Sequence, residues 1–265
     1  MSARYGCIFV TSLILLFNSP AFSFPEFDHQ YPGWNQMLNK FVQNNGVNYS
    51  ALKQDQAQLD AFLESIASLQ RKEYENWNKE QQIAFWVNAY NAITLKVIID
   101  HYPLKRRGLT GLAFPSNSIR QIPGVWDKIS HRVLEKETTL NEIEHEILRK
   151  QFQDPRIHFA LVCASIGCPV LRDEPFQADL LDDQLDEQIR QFLATPEKFR
   201  YDKAKNTLYL SPIFKWFKKD FEQTDGIVQF IKKYVPENVA STISEKSKIE
   251  WLDYDWSLNE RTGWL

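Results

Sequence analysis

The sequence has few cysteines, no excess charge of either sign and no apolar run long enough to span a membrane. It contains 3 Cys among 265 residues and has a formal net charge of −3. Since no basic stripe marks a nucleic-acid-binding face, we expect no nucleic-acid partner. The chain also lacks repeats, low-complexity tracts and evident linkers, which favours a single domain.

The first residues predict export. Arg4 precedes an apolar run from Tyr5 to Phe17, and the small-residue triplet Ala21–Ser23 follows. This order is typical of a cleavable signal peptide, here residues 1–23. About a dozen apolar residues are fewer than the roughly 20 that cross a bilayer, so we expect no stable membrane span after cleavage. The predicted location is the periplasm or the extracellular space.

Aromatic residues are abundant. The chain has 18 Phe, 10 Tyr and 8 Trp, and 43% of its residues are hydrophobic. This composition supports a packed core and argues against disorder. We interpret residues 24–76 as an N-terminal helical segment packed on a main domain at 77–265.

Apolar periodicity predicts an α+β fold, mostly helical around a small mixed or antiparallel sheet. Strands and hairpins are expected where β-branched or alternating residues meet turn signals. The predicted helices are 34–41, 54–69, 77–102, 140–152, 177–193, 212–221 and 226–234, with a charged connector at 71–76. The predicted strands are one or two at 125–139, an interior strand at 156–163, a hairpin at 198–211 and a last strand in the tail.

The helix predicted at about 77–102 is apolar nearly all the way round, which indicates a buried central helix. Asn88 and Asn91 interrupt it on one face. Because an unpaired buried amide costs about 1–3 kcal/mol, both side chains need partners. They either form a satisfied polar network or line the wall of a binding cleft.

Cys163 and Cys168 are the cysteines that remain after signal cleavage. An exported protein with two cysteines most simply forms a disulfide, and the intervening Ala-Ser-Ile-Gly turn permits one. Alternatively, one thiol is a nucleophile activated by a histidine. A dithiol oxidoreductase is disfavoured, because the spacing differs from Cys-x-x-Cys.

Two histidines are candidate bases. If His158 and Cys163 lie on one extended strand, about 16 Å separates them and they face opposite ways. His158 then has a better role as a buried, hydrogen-bonded residue. His145 lies on a predicted helical face with Glu142 and Arg149, where a carboxylate one turn away orients the imidazole. The alternative for that face is a solvated ion-pair cluster.

Glu142 and His145 also have the Glu-x-x-His spacing of helical-bundle metal sites. Such sites need matching ligands on further helices, and the sequence has no convincing second copy. We therefore predict neither a metal nor another cofactor.

Five ordered segments resemble the domain of unknown function 547 family: FWVNAYNAITL, LNEIEHEILR, IHFALVCASIGCP, LSPIFKWF and YDWSLN. The resemblance covers most of the mature chain and implies no settled reaction or substrate. It raises the expectation that several motif residues share one site. Those residues are Asn88, Tyr90, Asn91, His145, Arg149, His158, Cys163, Cys168 and Pro169.

Two functional hypotheses follow. The first is a cysteine-dependent hydrolase or transferase that acts on a small-molecule or cell-envelope ligand, with Cys163 or Cys168 as nucleophile. In it His145 is the base, Glu142 orients the base, and Asn88, Asn91, Arg149 and His158 are binding residues. The second is a non-enzymatic exported binding or structural domain with a Cys163–Cys168 disulfide. The sequence does not specify the oligomeric state.

Overall fold

The computed structural model describes residues 26–43, 45–106, 108 and 110–261. Over these ranges the chain is mostly helical, with small sheets of two or three strands. The predicted α+β class is therefore confirmed. The predicted signal peptide lies outside the described residues. No helix within the described ranges is long and apolar enough to cross a membrane.

Among the described residues, helices lie before and after one long central helix. The helices are α1 Pro32–Phe41, α2 Tyr49–Gln54, α3 Ala57–Ser68, α4 Arg71–Tyr74, α5 Lys79–His101, a π-helix Glu142–Phe152, α6 Leu181–Leu193, α7 Pro212–Trp216, α8 Lys218–Glu222, α9 Gly226–Tyr234 and α10 Glu237–Ala240. The strands are β1 Val42–Gln43, β2 Gly46–Val47, β3 Ser130–Val133, β4 Lys136–Thr139, β5 Phe199–Asp202, β6 Thr207–Leu210 and β7 Lys248–Trp251. Short 3₁₀ turns lie at Thr110–Ala113, Ile119–Gln121, Pro155–Phe159 and Ala178–Leu180.

The central helix α5 is buried as the apolar pattern predicts. All its residues at 83–95 are buried, including the two asparagines. Asn78 begins the helix with a reciprocal capping box to Gln81. Such a box satisfies backbone N–H groups that the first turn leaves without partners.

The N-terminal helices pack against α5 in one core. Trp34 on α1 stacks on Phe62 of α3 with ring centroids 5.1 Å apart, and both side chains are buried. Helices α2 and α3 both contact α5. The predicted connector at 71–76 is wrong in part, because its first four residues form α4. Tyr74 at the end of α4 is buried and accepts a hydrogen bond from Trp86, which anchors the turn to α5.

A second core lies under the three-stranded sheet. β5 and β6 are antiparallel, and β6 and β7 are parallel, so the sheet is mixed. The predicted hairpin and the tail strand are both confirmed. The sheet and the C-terminal helices bury a phenylalanine cluster: Phe159, Phe192, Phe214, Phe221 and Phe230. One of these, Phe159, follows the π-helix in the chain and connects the second core to the cysteine segment.

The predicted strand at 156–163 is wrong. The segment begins as a 3₁₀ turn, Pro155–Phe159, and continues without a partner strand. Its backbone pairs instead with a side chain of α5. Asn91 Nδ2 donates to the Ala160 carbonyl at 3.0 Å, and Asn91 Oδ1 accepts from the Val162 N–H at 2.9 Å. One amide thus satisfies the groups that a neighbouring strand would have bonded.

The helix predicted at 140–152 is present as a π-helix. Thr139 and Glu142 form a capping box at its start, as their spacing of three favours: the Thr139 N–H donates to Glu142 Oε2 and the Glu142 N–H donates to Thr139 Oγ1. Hydrogen bonds in a π-helix join residues five apart, so faces derived from spacings of three and four do not transfer.

Leu180 belongs to the apolar stripe of the helix predicted at 177–193, but 46% of its surface is exposed. It lies in the 3₁₀ turn that precedes α6, outside the helical register of the buried residues.

Candidate active site

A cleft of about 310 Å³ gathers residues from every motif region of the main domain. Its deep wall combines thiol, carboxyl, imidazole and phenol groups, and its outer wall is aromatic. A larger cleft of about 450 Å³ lies at the N-terminal helices, but its described lining includes neither a cysteine nor a histidine. The smaller cleft, which contains the cysteines and histidines, is lined by Tyr90, Arg120, Trp126, Asn141, Glu144, His145, His158, Leu161, Cys163, Cys168, Pro169, Ile213, Trp216, Phe217, Tyr254 and Trp256.

The cysteine loop is held between α5 and the C-terminal tail. The Ile166 N–H donates to the Ser257 carbonyl and the Gly167 N–H to the Asp255 carbonyl, each at 2.8 Å. A Cβ added at Gly167 would lie 2.9 Å from the Tyr254 ring, so glycine permits this close approach of the tail. The tail therefore fixes the loop backbone at Ile166 and Gly167, while Asn91 fixes the segment before it.

The two thiols are in contact and free. Cys163 is half-buried and Cys168 is buried. The Cys163 N–H donates to Cys168 Sγ at 2.8 Å. Cys163 Sγ also lies 3.1 Å from Ser165 Oγ and 3.2 Å from the Tyr254 hydroxyl. The amino-acid pattern alone is compatible with a disulfide or with free thiols, and in this structure the pair is a hydrogen-bonded dithiol.

The first ionisation of this pair belongs to Cys168. Burial opposes it, yet hydrogen bonds from Cys163 and Tyr254 and the charge of Lys198 lower the pKa of Cys168 to about 7. The hydrogen bond to Cys168, followed by burial, raises the pKa of Cys163 well above its ordinary value. Since the sulfurs share hydrogen bonds, they titrate as one unit that loses a single proton near neutral pH.

Glu144 places a carboxyl group beside the thiols. Burial, followed by the negative charge of Cys163, raises the pKa of Glu144 to about 7. The Tyr90 hydroxyl donates to Glu144 Oε2 at 3.3 Å. Burial and the neighbouring Glu144 raise the pKa of Tyr90, which therefore stays a donor. A carboxyl group that titrates near pH 7 can both accept and donate a proton under physiological conditions.

His145 is held by Arg149, not by a carboxylate. Arg149 Nη1 donates to His145 Nδ1 at 2.8 Å. Because a guanidinium only donates, His145 Nδ1 must accept, and the neutral ring carries its proton on Nε2. Burial, followed by the charge of Arg149, lowers the pKa of His145. His145 is therefore a neutral donor on the cleft wall.

Asp220 joins Arg149 to the second histidine. Arg149 donates to both Asp220 oxygens, at 2.6 and 2.8 Å. His158 Nε2 lies 2.7 Å from Asp220 Oδ2, and its ring stacks on Phe217 at 3.8 Å. Burial outweighs Asp220 and lowers the pKa of His158, so Nε2–H donates and Nδ1 is the acceptor. That Nδ1 is buried and has no hydrogen-bond partner among the described residues.

Four predicted site residues lie outside the cleft lining: Glu142, Asn88, Asn91 and Arg149, which holds His145 from behind the wall. Glu142 caps the π-helix through Thr139 and does not orient His145. Asn91 clamps the cysteine segment. Asn88 accepts from Trp34 and from the Phe176 N–H, and donates to the Phe176 carbonyl. Both asparagines thus form the satisfied network that was one of their two interpretations.

Four site residues escape prediction from the sequence: Glu144, Asp220, Tyr254 and Arg120. Glu144 is adjacent in sequence to His145, but α-helical spacing favours Glu142. Asp220 is 71 residues from its partner Arg149. Tyr254 belongs to the YDWSLN motif, which by itself assigns the tyrosine no role. Within the described ranges, no group of three or more His, Cys, Asp or Glu side chains is arranged to hold a metal ion.

Comparison with known proteins gives a family-model match to part of the chain. Residues 74–193 match the model of the family described as "Protein of unknown function, DUF547". The match includes α5, the π-helix and the cysteine loop, and the resemblance inferred from the motifs is thereby confirmed over this segment. Asp220 and Tyr254 lie beyond the matched residues. Neither a curated protein nor a solved structure gives a significant match.

Proposed function

We propose that this protein is a cysteine-dependent hydrolase or transferase that forms a covalent acyl intermediate on Cys163. The observation that carries the proposal is that the Cys163 thiol, the Glu144 carboxyl group and the His145 imidazole line one cleft. Acyl transfer requires a nucleophile, a proton-transfer group and a hydrogen-bond donor, and these three residues provide them.

Cys163 is the attacking sulfur because it is the more exposed thiol. Its proton passes to the thiolate of Cys168, with which it shares hydrogen bonds. The pair therefore presents a nucleophilic sulfur near pH 7 although Cys163 alone ionises with difficulty. A thiolate is the reactive form of cysteine in such reactions.

Glu144 takes the proton-transfer role that the sequence suggested for His145. In the first half-reaction the Cys163 sulfur forms a bond to the substrate carbonyl carbon, the bond to the amine or alcohol breaks, and protonated Glu144 gives that leaving group its proton. In the second half-reaction the Glu144 carboxylate accepts a proton from water or from another nucleophile. That nucleophile then forms a bond to the carbonyl carbon as the carbon–sulfur bond breaks.

His145 donates from Nε2 toward negative charge that develops on the carbonyl oxygen. A neutral imidazole that already accepts from Arg149 is oriented for this role, and donors of this type stabilise oxyanions. Arg149 and Asp220 are positioning residues that fix the ring.

We further propose that the protein acts outside the cytoplasm, in the periplasm or as a secreted protein. The support is the order of charge, apolar run and small residues in 1–23.

The test measures native alkylation by iodoacetamide, followed by peptide mapping, from pH 5 to 9. We expect Cys163 to be modified faster than a denatured control at pH 7, and Cys163→Ser to abolish this fast phase. Cys168→Ser should shift the pH midpoint upward, because the pair's lowered first pKa belongs to Cys168 and burial still raises the pKa of the remaining Cys163. Ser165→Ala is the matched control, since it removes a hydroxyl that contacts both Cys163 Sγ and the Tyr254 hydroxyl and leaves the second thiol in place. Labelling no faster than that of the denatured chain at every pH would refute the proposal.

A further inference from the structure

Arg120 is a charged residue on the cleft wall that the proposed chemistry does not use. It is exposed and follows the buried Ser118 and Ile119 in a 3₁₀ turn. Its guanidinium carbon lies 4.4 Å from the Phe114 ring centroid, 5.3 Å from that of Trp126 and 5.2 Å from that of Trp256. Three aromatic rings thus fix a guanidinium that lines the cleft.

No described acidic side chain pairs with Arg120. The described ion pairs use other arginines, including Arg149, Arg156 and Arg172, and no hydrogen bond joins the Arg120 guanidinium to a described residue. The residues outside the described ranges include neither Asp nor Glu. A guanidinium that contacts rings retains its N–H edges for planar acceptors, which it binds two at a time.

The rings connect Arg120 to the thiol. Trp256 contacts Tyr254 with centroids 4.6 Å apart, and the Tyr254 hydroxyl lies 3.2 Å from Cys163 Sγ. Trp216 stacks on Trp256 at 5.8 Å and is 48% exposed. Exposed aromatic side chains beside a buried reactive group favour a ligand with a planar or apolar part.

We propose that Arg120 binds a carboxylate of the acyl substrate, while Trp126, Trp216 and Trp256 hold a planar or apolar group between that carboxylate and the carbonyl attacked by Cys163. This assignment specifies the substrate class of the proposed acyl transfer, and it depends on that proposed function. The substrate is an amide or ester that bears a carboxylate beyond a planar or apolar group from the scissile bond.

The charge of the cleft favours a carboxylate over a phosphate. Arg120 supplies one positive charge and one planar fork, which match a carboxylate. Glu144 on the deep wall becomes negative as pH rises above about 7. A dianionic phosphate would need further cationic or N–H donors to compensate its second charge.

Two matched electrophiles test the inference: 4-(chloroacetamido)benzoate and its neutral primary amide, 4-(chloroacetamido)benzamide. Both place a reactive carbon at one end of an aromatic ring and differ only at the other end. We expect the carboxylate to label Cys163 faster, and Arg120→Gln to reduce its rate about fivefold or more without changing that of the amide. Arg120→Lys should lose part of the preference, because it keeps the charge but not the fork. Arg132→Gln, on β3 and outside the cleft lining, is the control.

Equal rates for both probes in the wild type, unchanged by Arg120→Gln, would overturn the inference and leave the proposed thiol chemistry standing. The corresponding arylphosphonate is a third probe, and an Arg120-dependent preference for it over the carboxylate would also overturn the assignment.

Absence of labelling by any probe would refute the thiol chemistry, and binding then decides the role of Arg120. 4-Acetamidobenzoate and 4-acetamidobenzamide, which cannot alkylate, are titrated against tryptophan fluorescence. Binding of the carboxylate alone, lost in Arg120→Gln, supports the recognition site. Binding of neither compound, or of both equally, overturns it.

Discussion

Arg149 donates a hydrogen bond to His145 Nδ1 at 2.8 Å, and this contact fixes the proton of the neutral imidazole on Nε2. The sequence suggests His145 as a base, whereas this contact makes its Nε2–H a hydrogen-bond donor. The same contact also explains why the proton-transfer role in our proposal falls to Glu144.

The tautomer of His145 is directly measurable. We expect ¹⁵N chemical shifts at pH 7 to report a protonated Nε2 and an unprotonated Nδ1. Arg149→Gln should raise the pKa of His145, because it removes a positive charge while burial still acts. Arg190→Gln, exposed on α6, is the control and should leave this pKa unchanged. A wild-type His145 protonated on Nδ1 would contradict the assignment.

Asn91 is predicted to determine the integrity of the cysteine segment. Asn91→Ala leaves the buried Ala160 carbonyl and Val162 N–H without their partner, so we expect the free energy of unfolding to fall by about 2–4 kcal/mol. Denaturant unfolding measures this change. Asn39→Ala, exposed on α1, should stay within about 0.5 kcal/mol of the wild type. An equally small effect at Asn91 would mean that the segment is held by other contacts.

The raised pKa of Glu144 predicts a pH-dependent stability. The unfolded chain ionises this carboxyl group near pH 4.5, whereas the folded protein retains the proton until about pH 7. Between these values the folded state binds more protons, so the contribution of Glu144 to stability falls as pH rises from about 4.5 to 7.

Glu144→Gln should remove this part of the pH dependence, on the order of 1–3 kcal/mol. Parallel unfolding curves at pH 4.5 and 7.5 measure it. Glu146→Gln, on the exposed face of the same π-helix, should preserve the wild-type difference. If both variants behave like the wild type, Glu144 titrates at an ordinary value and cannot have the role proposed.

The state of the cysteines separates the enzyme from the non-enzymatic alternative. In protein purified from the exported fraction, alkylation without reductant should modify both Cys163 and Cys168. Intact mass measured before and after alkylation counts them. Two unmodified cysteines that become reactive only after reduction would favour the disulfide-bonded binding domain.

Export itself predicts a defined N-terminus. Expression of the full sequence in a bacterium should give an extracytoplasmic protein that begins at Phe24, because cleavage is expected after Ser23. Mass spectrometry of the fractionated cells measures this. Protein that keeps residues 1–23 and remains in the cytoplasmic fraction would contradict the predicted location.

Local patterns in the sequence predict most of the helices and the hairpins, because apolar spacing and capping residues act over a few positions. α5 and the Thr139–Glu142 box are examples. The cysteine segment resembles a strand in its apolar composition, which does not reveal that Asn91, far away in sequence, satisfies its backbone. The assignment of Glu142 to the site failed because the π-helix alters the faces on which α-helical spacing relies.

The site was predictable only in part for a related reason. His145, His158, Cys163 and Cys168 occur in recognisable motifs, and all four line the cleft. Asp220 and Arg120 act through partners that tertiary packing brings together, and no local pattern distinguishes them from ordinary surface charges. Buried polar contacts between distant segments are thus the information that a single sequence lacks.

An acyl group on Cys163 is the direct product of the proposed chemistry and can be detected. The native protein is incubated with p-nitrophenyl acetate at pH 7, quenched in acid and mapped by mass spectrometry. We predict an acetyl thioester on Cys163 that hydroxylamine removes, that is absent in Cys163→Ser, and that persists longer in Glu144→Gln because deacylation loses its proton acceptor. Acetylation spread over surface lysines, with none on Cys163 and no change between the variants, would contradict the account.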